Sequence, residues 1–294
     1  MALPKVSGFT FIRNGVQLGY PFIASIKSIL PIVDEFVIAV GESDDDTLAQ
    51  IESLNEPKIR IIQTVWNENM RDRGYVYGQQ KMIAQFNCTG DWAFYLEGDE
   101  IVHEDDLAKI QAAMNHYWHD EDVEALVFDY YHFYGNKNTC LNSPAWYRIE
   151  ARIIKNSVRT YAPDGLFWLV LEKNKIGRYP KAAHTQAKIY HYGWMRHEEQ
   201  MNLKVKKIQP YWNKNNSQQQ IESINYKEID STTLQLFQGT HPAVIQNWLP
   251  ESTGLFVANA SHQLTRREKK HRITRQIEKL FSIDLIKKHY RLVK

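Results

Sequence analysis

Gly90-Asp-Trp-Ala-Phe-Tyr-Leu-Glu-Gly-Asp-Glu100 is the stretch whose reading decides the fold. Residues 92–96 form a short continuous apolar run, the pattern of a strand buried on both faces. The run breaks directly into Glu97-Gly98-Asp99-Glu100. Carboxylates on a tight turn at a strand end can hold a hard divalent ion, and the ion can hold a diphosphate. Gly98 omits a side chain where such a group must approach. Asp99 is the leading candidate and Glu97 stands beside it. Glu104, Asp105 and Asp106 read instead as a helix N-cap and first-turn acids.

Working outward, residues 6–12 read as a strand ended by Arg13-Asn14-Gly15, and residues 20–30 carry apolar groups at helical spacing up to Pro31. Phe-Val-Ile-Ala-Val at 36–40 is a second buried strand, followed by an acidic loop at 41–47 and a helix to Leu54. A strand at 59–64, a helix at 74–86, the strand at 92–96 and a helix at 105–117 complete the alternation. Such a β-α repeat predicts an α/β fold with a mostly parallel sheet and right-handed crossovers. Ligands in such sheets bind beyond the carboxyl ends of the strands, which here carry Arg13, Asn14, Glu42 to Asp46, residues 66–68 and the acidic turn. Later, residues 125–131, 152–155 and 188–192 read as strands. The polar run Asn-Lys-Asn-Asn-Ser-Gln-Gln-Gln at 213–220 reads as a linker. It divides a domain at 1–212 from a helical C-terminal extension at 213–294.

The chain has 294 residues, 43% hydrophobic and 24% charged. This excludes a disordered, collagenous or disulfide-stapled chain. Cys88 and Cys140 form no Cys-x-x-Cys pair and read as small buried hydrophobes. With no leader-like start and no apolar run near the roughly 18 residues of a membrane span, a cytoplasmic setting is expected. The net charge is +2, yet residues 266–294 hold eleven basic residues against three acids, a local +8 that leaves −6 for the rest. That tail reads as a helix docked on the domain, or as a peripheral contact with the inner face of a membrane; no nucleic-acid module is present. Gly-x-Gly-x-x-Gly and the Gly-x-x-x-x-Gly-Lys phosphate loop are both absent.

These motifs, in this order, resemble a family 2 glycosyltransferase of the GT-A fold. The resemblance rests on the first strand with Asn14, residues 34–40, Ser43-Asp-Asp-Asp-Thr47, the 90–100 stretch and Tyr190-His-Tyr-Gly-Trp194. It covers mainly the first 110 residues. It implies transfer of a sugar from a nucleotide-sugar donor to a saccharide or lipid-linked acceptor, with manganese or magnesium. The metal would rest on Asp99, with Glu97 where the family has Asp, and with His191 as a further ligand. Donor contacts would come from Arg13, Asn14, Glu42, Asp44, Arg71, Lys81 and Gly98. The family's catalytic base lies downstream, so Asp164 in Pro-Asp-Gly is the first candidate and Glu150 the second for an inverting transfer. Tyr130 to Tyr134, Trp146 and Trp168 offer rings for an acceptor sugar. Two other readings stand beside this one: a sugar nucleotidyltransferase, and a non-catalytic protein binding membranes or polyanions through the basic tail.

Overall fold

A computed structural model describes residues 3–212 and 223–293. The polar run expected as a linker lies outside the described residues. The first half alternates as the sequence predicts: β1 (Val6–Ile12), α1 (Phe22–Ile29), β2 (Glu35–Gly41), α2 (Thr47–Glu52), β3 (Ile59–Thr64), α3 (Tyr75–Phe86) and β4 (Trp92–Tyr95). Then come β5 (Glu100–Val102), α4 (Leu107–Tyr117), β6 (Ala125–Tyr134), β7 (Asn136–Leu141) and β8 (Ile149–Lys155). A small separate sheet of β9 (Thr160–Tyr161), β10 (Leu169–Leu171) and β11 (Gly177–Arg178) precedes the long β12 (Lys181–Trp194) and α5 (Glu198–Trp212). The remainder holds β13 (Leu234–Leu236), α6 (Arg266–Phe281) and β14 (Arg291–Leu292).

The main sheet runs β13-β7-β6-β8-β4-β1-β2-β3, with β12 pairing β6, β5 and β14. Strands β3, β2, β1 and β4 are mutually parallel, and β8 closes antiparallel on β4. This is the GT-A-like arrangement, a mostly parallel curled sheet flanked by helices. The continuous apolar runs form it because both faces are covered. Phe36, Ile38 and Val40 of β2 pack into one core layer, while Val37 and Ala39 enter the other. Trp92 and Phe94 of β4 likewise oppose Ala93 and Tyr95. Each large apolar side chain so buried contributes about 1.5–3 kcal/mol.

The extension expected to be helical contains one α-helix, α6, among its described residues, and two short strands that complete the main sheet. Their pairing with β7 and β12 is non-local, so no local periodicity announces it. Cys88 and Cys140 are buried free thiols, each pushed up to about 12 by burial. No helix among the described residues is long and apolar enough to cross a membrane.

Candidate active site

The acidic turn is built by its neighbours. Thr10 Oγ1 donates to the Leu96 carbonyl at 2.6 Å, and Ser25 Oγ of α1 donates to the Glu97 carbonyl at 3.0 Å. The Glu100 amide closes the turn on the Glu97 carbonyl at 3.0 Å. Gly98 lies where a Cβ would come within 3.1 Å of Ile12, so glycine lets the turn sit down on β1. Strand β12 then brings His191 opposite Glu100 in antiparallel register. At Gly193 a Cβ would lie 2.5 Å from His191 Nε2 and 3.2 Å from Asp99 Oδ2. The glycine of the Tyr-His-Tyr-Gly-Trp segment thus makes room for the histidine beside the aspartate.

Asp99 is 2% exposed and carries two cations on one oxygen: Arg196 Nη2 at 3.0 Å and Lys204 Nζ at 3.1 Å from Oδ2. Burial opposes its ionisation, but Lys204 and Arg196 together hold it far below the usual carboxylate range. Arg196 is fixed by the carbonyls of Gly19 and Gly193, and both cations lie over the Tyr20 ring. His132 Nε2 faces the Tyr147 carbonyl at 2.7 Å, so that nitrogen carries the proton. His132 Nδ1 is then the acceptor for His191 Nδ1–H at 2.8 Å. Burial keeps both rings neutral, lowering each imidazole. The lone pair of His191 Nε2 therefore points toward Asp99 Oδ1, 3.7 Å away.

The other two acids of the turn are engaged differently. Arg152 bonds Glu100 through two nitrogens and reaches Glu97 Oε1 at 3.0 Å. Tyr130 adds its hydroxyl to Glu100 at 2.9 Å. Burial, followed by the charge of Glu100, raises the Glu97 carboxyl. Glu100 is thereby a buried brace, whereas Glu97 remains on the wall of a cavity.

That cavity, about 570 Å³, opens beyond the carboxyl ends of β1, β3 and β4. Arg13, Asn14, Asp44, Glu68, Arg71, Gly98, Asp99 and His191 line one side, and Lys204, Lys206, Lys207, Tyr211 and Trp212 of α5 line the other. Asn14 takes a left-handed φ of +54°, and its Oδ1 accepts the Asp44 amide at 2.8 Å, tying the acidic loop to β1. Glu68 joins Arg13 (2.5 Å), Arg71 (2.6 Å) and the Tyr211 hydroxyl (2.9 Å). Against its desolvation, these bonds bring Glu68 down to about 2. Trp66, Tyr77 and Tyr211 meet edge to face at 5.3–5.7 Å. The indole N–H of Trp66 is buried with no acceptor among the described residues.

A second cavity of about 480 Å³ lies behind His132. Tyr131, Trp146, Tyr147 and Phe237 give it rings, and Asn142, Gln235, Gln238 and Arg148 give it polar groups. Trp146 packs on Trp194 at 5.4 Å, and Trp194 lines the first cavity. The two cavities therefore share a wall.

Several sequence-derived candidates fall elsewhere. The ammonium of Lys81 is wholly buried over Tyr95 and Trp168 and donates to the Gly165 carbonyl at 3.3 Å, so it does not reach the cavity. Burial, then Arg152, lowers its pKa. Trp168 is core, its N–H donating to Gln85 at 2.7 Å. Asp164 accepts the Leu166 amide at 2.8 Å in its own turn; Gly165 and Leu166 line the cavity in its place. Glu150 is buried against His289 at 2.7 Å, while its flanking arginines pair with other acids. Glu42 lends its carbonyl to Arg13 but its side chain is not on the wall. Arg196, Lys204, Arg152 and the aromatic end of α5 were not anticipated. Lys204-Val-Lys206-Lys207 was the available signal, but nothing local ties it to a turn a hundred residues earlier.

No family model matches the chain. It is 30% identical over 116 residues to an uncharacterized glycosyltransferase of Rickettsia felis, a match covering 38% of this chain and 36% of that protein. Among solved structures, Staphylococcus aureus TarS residues 1–349 give a TM-score of 0.41 at 14% identity, over 70% of this chain and 65% of that one. A mannosyltransferase from Pyrobaculum calidifontis, in complex with GDP-Man and Mn2+, gives 0.34 at 16% identity, over 43% of this chain and 35% of that one.

Proposed function

We propose that this chain is a glycosyltransferase. It takes a sugar from a nucleoside-diphosphate donor in the first cavity and passes it, with inversion, to a saccharide or lipid-linked acceptor. The observation that carries the reading is the convergence on Asp99. A carboxylate, a histidine lone pair and the α5 lysines meet in one cavity beyond the carboxyl ends of parallel strands. The partial likeness to a glycosyltransferase supports it.

Each part of a donor finds a chemical counterpart. The rings of Trp66, Tyr77 and Tyr211 frame a flat base. Arg13, Arg71, Lys204, Lys206 and Lys207 supply positive charge for the diphosphate. Among the described residues no cluster of three or more His, Cys, Asp or Glu side chains is disposed to hold an ion. Two donor atoms nevertheless fit a divalent cation whose other positions a diphosphate would fill: Asp99 Oδ1 and His191 Nε2. When bound, such an ion would supply Lewis-acid charge to the leaving group. Glu97 Oε1 is committed to Arg152 and is not in this set.

In the transfer, an acceptor hydroxyl oxygen bonds to the anomeric carbon as the bond to the diphosphate oxygen breaks. The diphosphate leaves with the electron pair, and the hydroxyl proton goes to a carboxylate. Glu97, on the cavity wall beside Asp99, is better placed for that proton than Asp164 or Glu150. The second cavity, with rings and amides beside Trp146, suits the acceptor saccharide. The test is release of nucleoside diphosphate from UDP-, GDP-, CDP- and dTDP-sugars, with and without manganese. Release from one donor class, lost in Asp99→Asn, is expected. Pyrophosphate release from a nucleoside triphosphate and a sugar phosphate would move the assignment to a nucleotidyltransferase.

A further inference from the structure

Helix α6 is fastened to the body along one face. Thr265 and Glu268 form a capping box at its start. Arg272 and Arg275 then reach Asp230, and Glu278 meets Arg148 at 2.8 Å. These three attachment points recur every three residues. Among the described residues the opposite face is unattached and apolar. Ile273, Ile277, Leu280 and Phe281 follow at helical spacing with 58%, 38%, 76% and 64% of their surface exposed. Four large apolar side chains on one helix face exceed the scattered singles of an ordinary surface.

The charge around this stripe has one sign. Arg266, Lys269 and Lys270 precede it, and Lys287 and Lys288 follow. The three acids of the segment are all committed. Glu268 is held in the capping box, Glu278 by Arg148, and Asp284 by Arg148 and Lys288. The outer face therefore presents apolar groups rimmed by cations.

We propose that α6 and residues 282–288 dock on an anionic lipid bilayer, lying in its interface. The cations select anionic headgroups, and the apolar stripe enters the boundary below them. A nucleic acid would use the charge and leave the stripe in water, and a second copy would bring like charges together. Arg148, which fastens α6, also lines the second cavity. Docking would thus bring that cavity to the bilayer; that this delivers a lipid-linked acceptor rests on the transferase reading, whereas docking itself does not.

The test is sedimentation of the full chain with phosphatidylcholine vesicles, with and without phosphatidylglycerol. Wild type should pellet with the anionic vesicles and stay in solution with the neutral ones. Ile277→Asp/Leu280→Asp and, separately, Lys269→Glu/Lys270→Glu should each lower partitioning at least about tenfold. All four positions are exposed, so the melting temperature should hold, and nucleoside-diphosphate binding should be unchanged. The inference is overturned by wild type failing to pellet, by equal pelleting with neutral vesicles, or by unaltered binding of Ile277→Asp/Leu280→Asp. A wild-type dimer that dissociates in that variant, with no vesicle binding, would assign the stripe to self-association. Loss of nucleotide binding in wild type would instead strike the transferase reading alone.

Discussion

Arg152 closes on Glu100 with two hydrogen bonds, Nε to Oε2 at 2.7 Å and Nη2 to Oε1 at 2.6 Å, and neither side chain has any exposed surface. The pair ties β8 to the acidic turn and so fixes where Glu97 and Asp99 stand. Removing one partner leaves an uncompensated buried charge. Arg152→Met should therefore cost about 3–5 kcal/mol. Scanning fluorimetry should show this as a melting temperature lower by roughly 6–15 °C. The double variant Arg152→Met/Glu100→Met should recover part of the loss.

Lys204 holds Asp99 from α5 while facing the first cavity. If the lysine neutralises a donor diphosphate, Lys204→Met should weaken nucleoside-diphosphate binding about tenfold, or about 1.4 kcal/mol. Lys204→Arg should restore most of it. Calorimetry of both variants against wild type checks this.

Tyr211 contributes a ring to the aromatic frame and a hydroxyl to Glu68. A stacked base draws about 1–3 kcal/mol from such a ring. Tyr211→Ala should accordingly lower nucleotide affinity by about tenfold or more. Tyr211→Phe keeps the ring, so its affinity should stay within roughly twofold.

Asp230 anchors α6, and the hydrogen bond from Arg272 holds its carboxylate well below the usual range. A carboxylate whose folded pKa is depressed adds stability that is complete above its unfolded value, near pH 4. That stability is lost as the pH falls toward the folded value. The melting temperature should thus fall below about pH 4, and Asp230→Asn should flatten that part of the profile while lowering stability at neutral pH.

The parallel half of the fold was legible because burial on both faces leaves unbroken apolar runs, as in 36–40 and 92–96. Asp99 was legible because it follows such a run at a strand's carboxyl end. Lys81 was misread because its helix turns the ammonium into the core, where the faces of Tyr95 and Trp168 receive it. Asp164 sits in a real turn, and the turn uses the carboxylate itself. The cations at Asp99 and the strands β13 and β14 depend on contacts between distant segments, which no local pattern records.

The central claim is that a nucleotide-sugar binds between the strand ends and α5. Hydrogen–deuterium exchange with saturating UDP, GDP, CDP or dTDP, with and without manganese, tests it most directly. The account predicts that at least one nucleotide protects residues 11–14, 66–71 and 204–212 together. Unchanged exchange in all three segments with every nucleotide would contradict it.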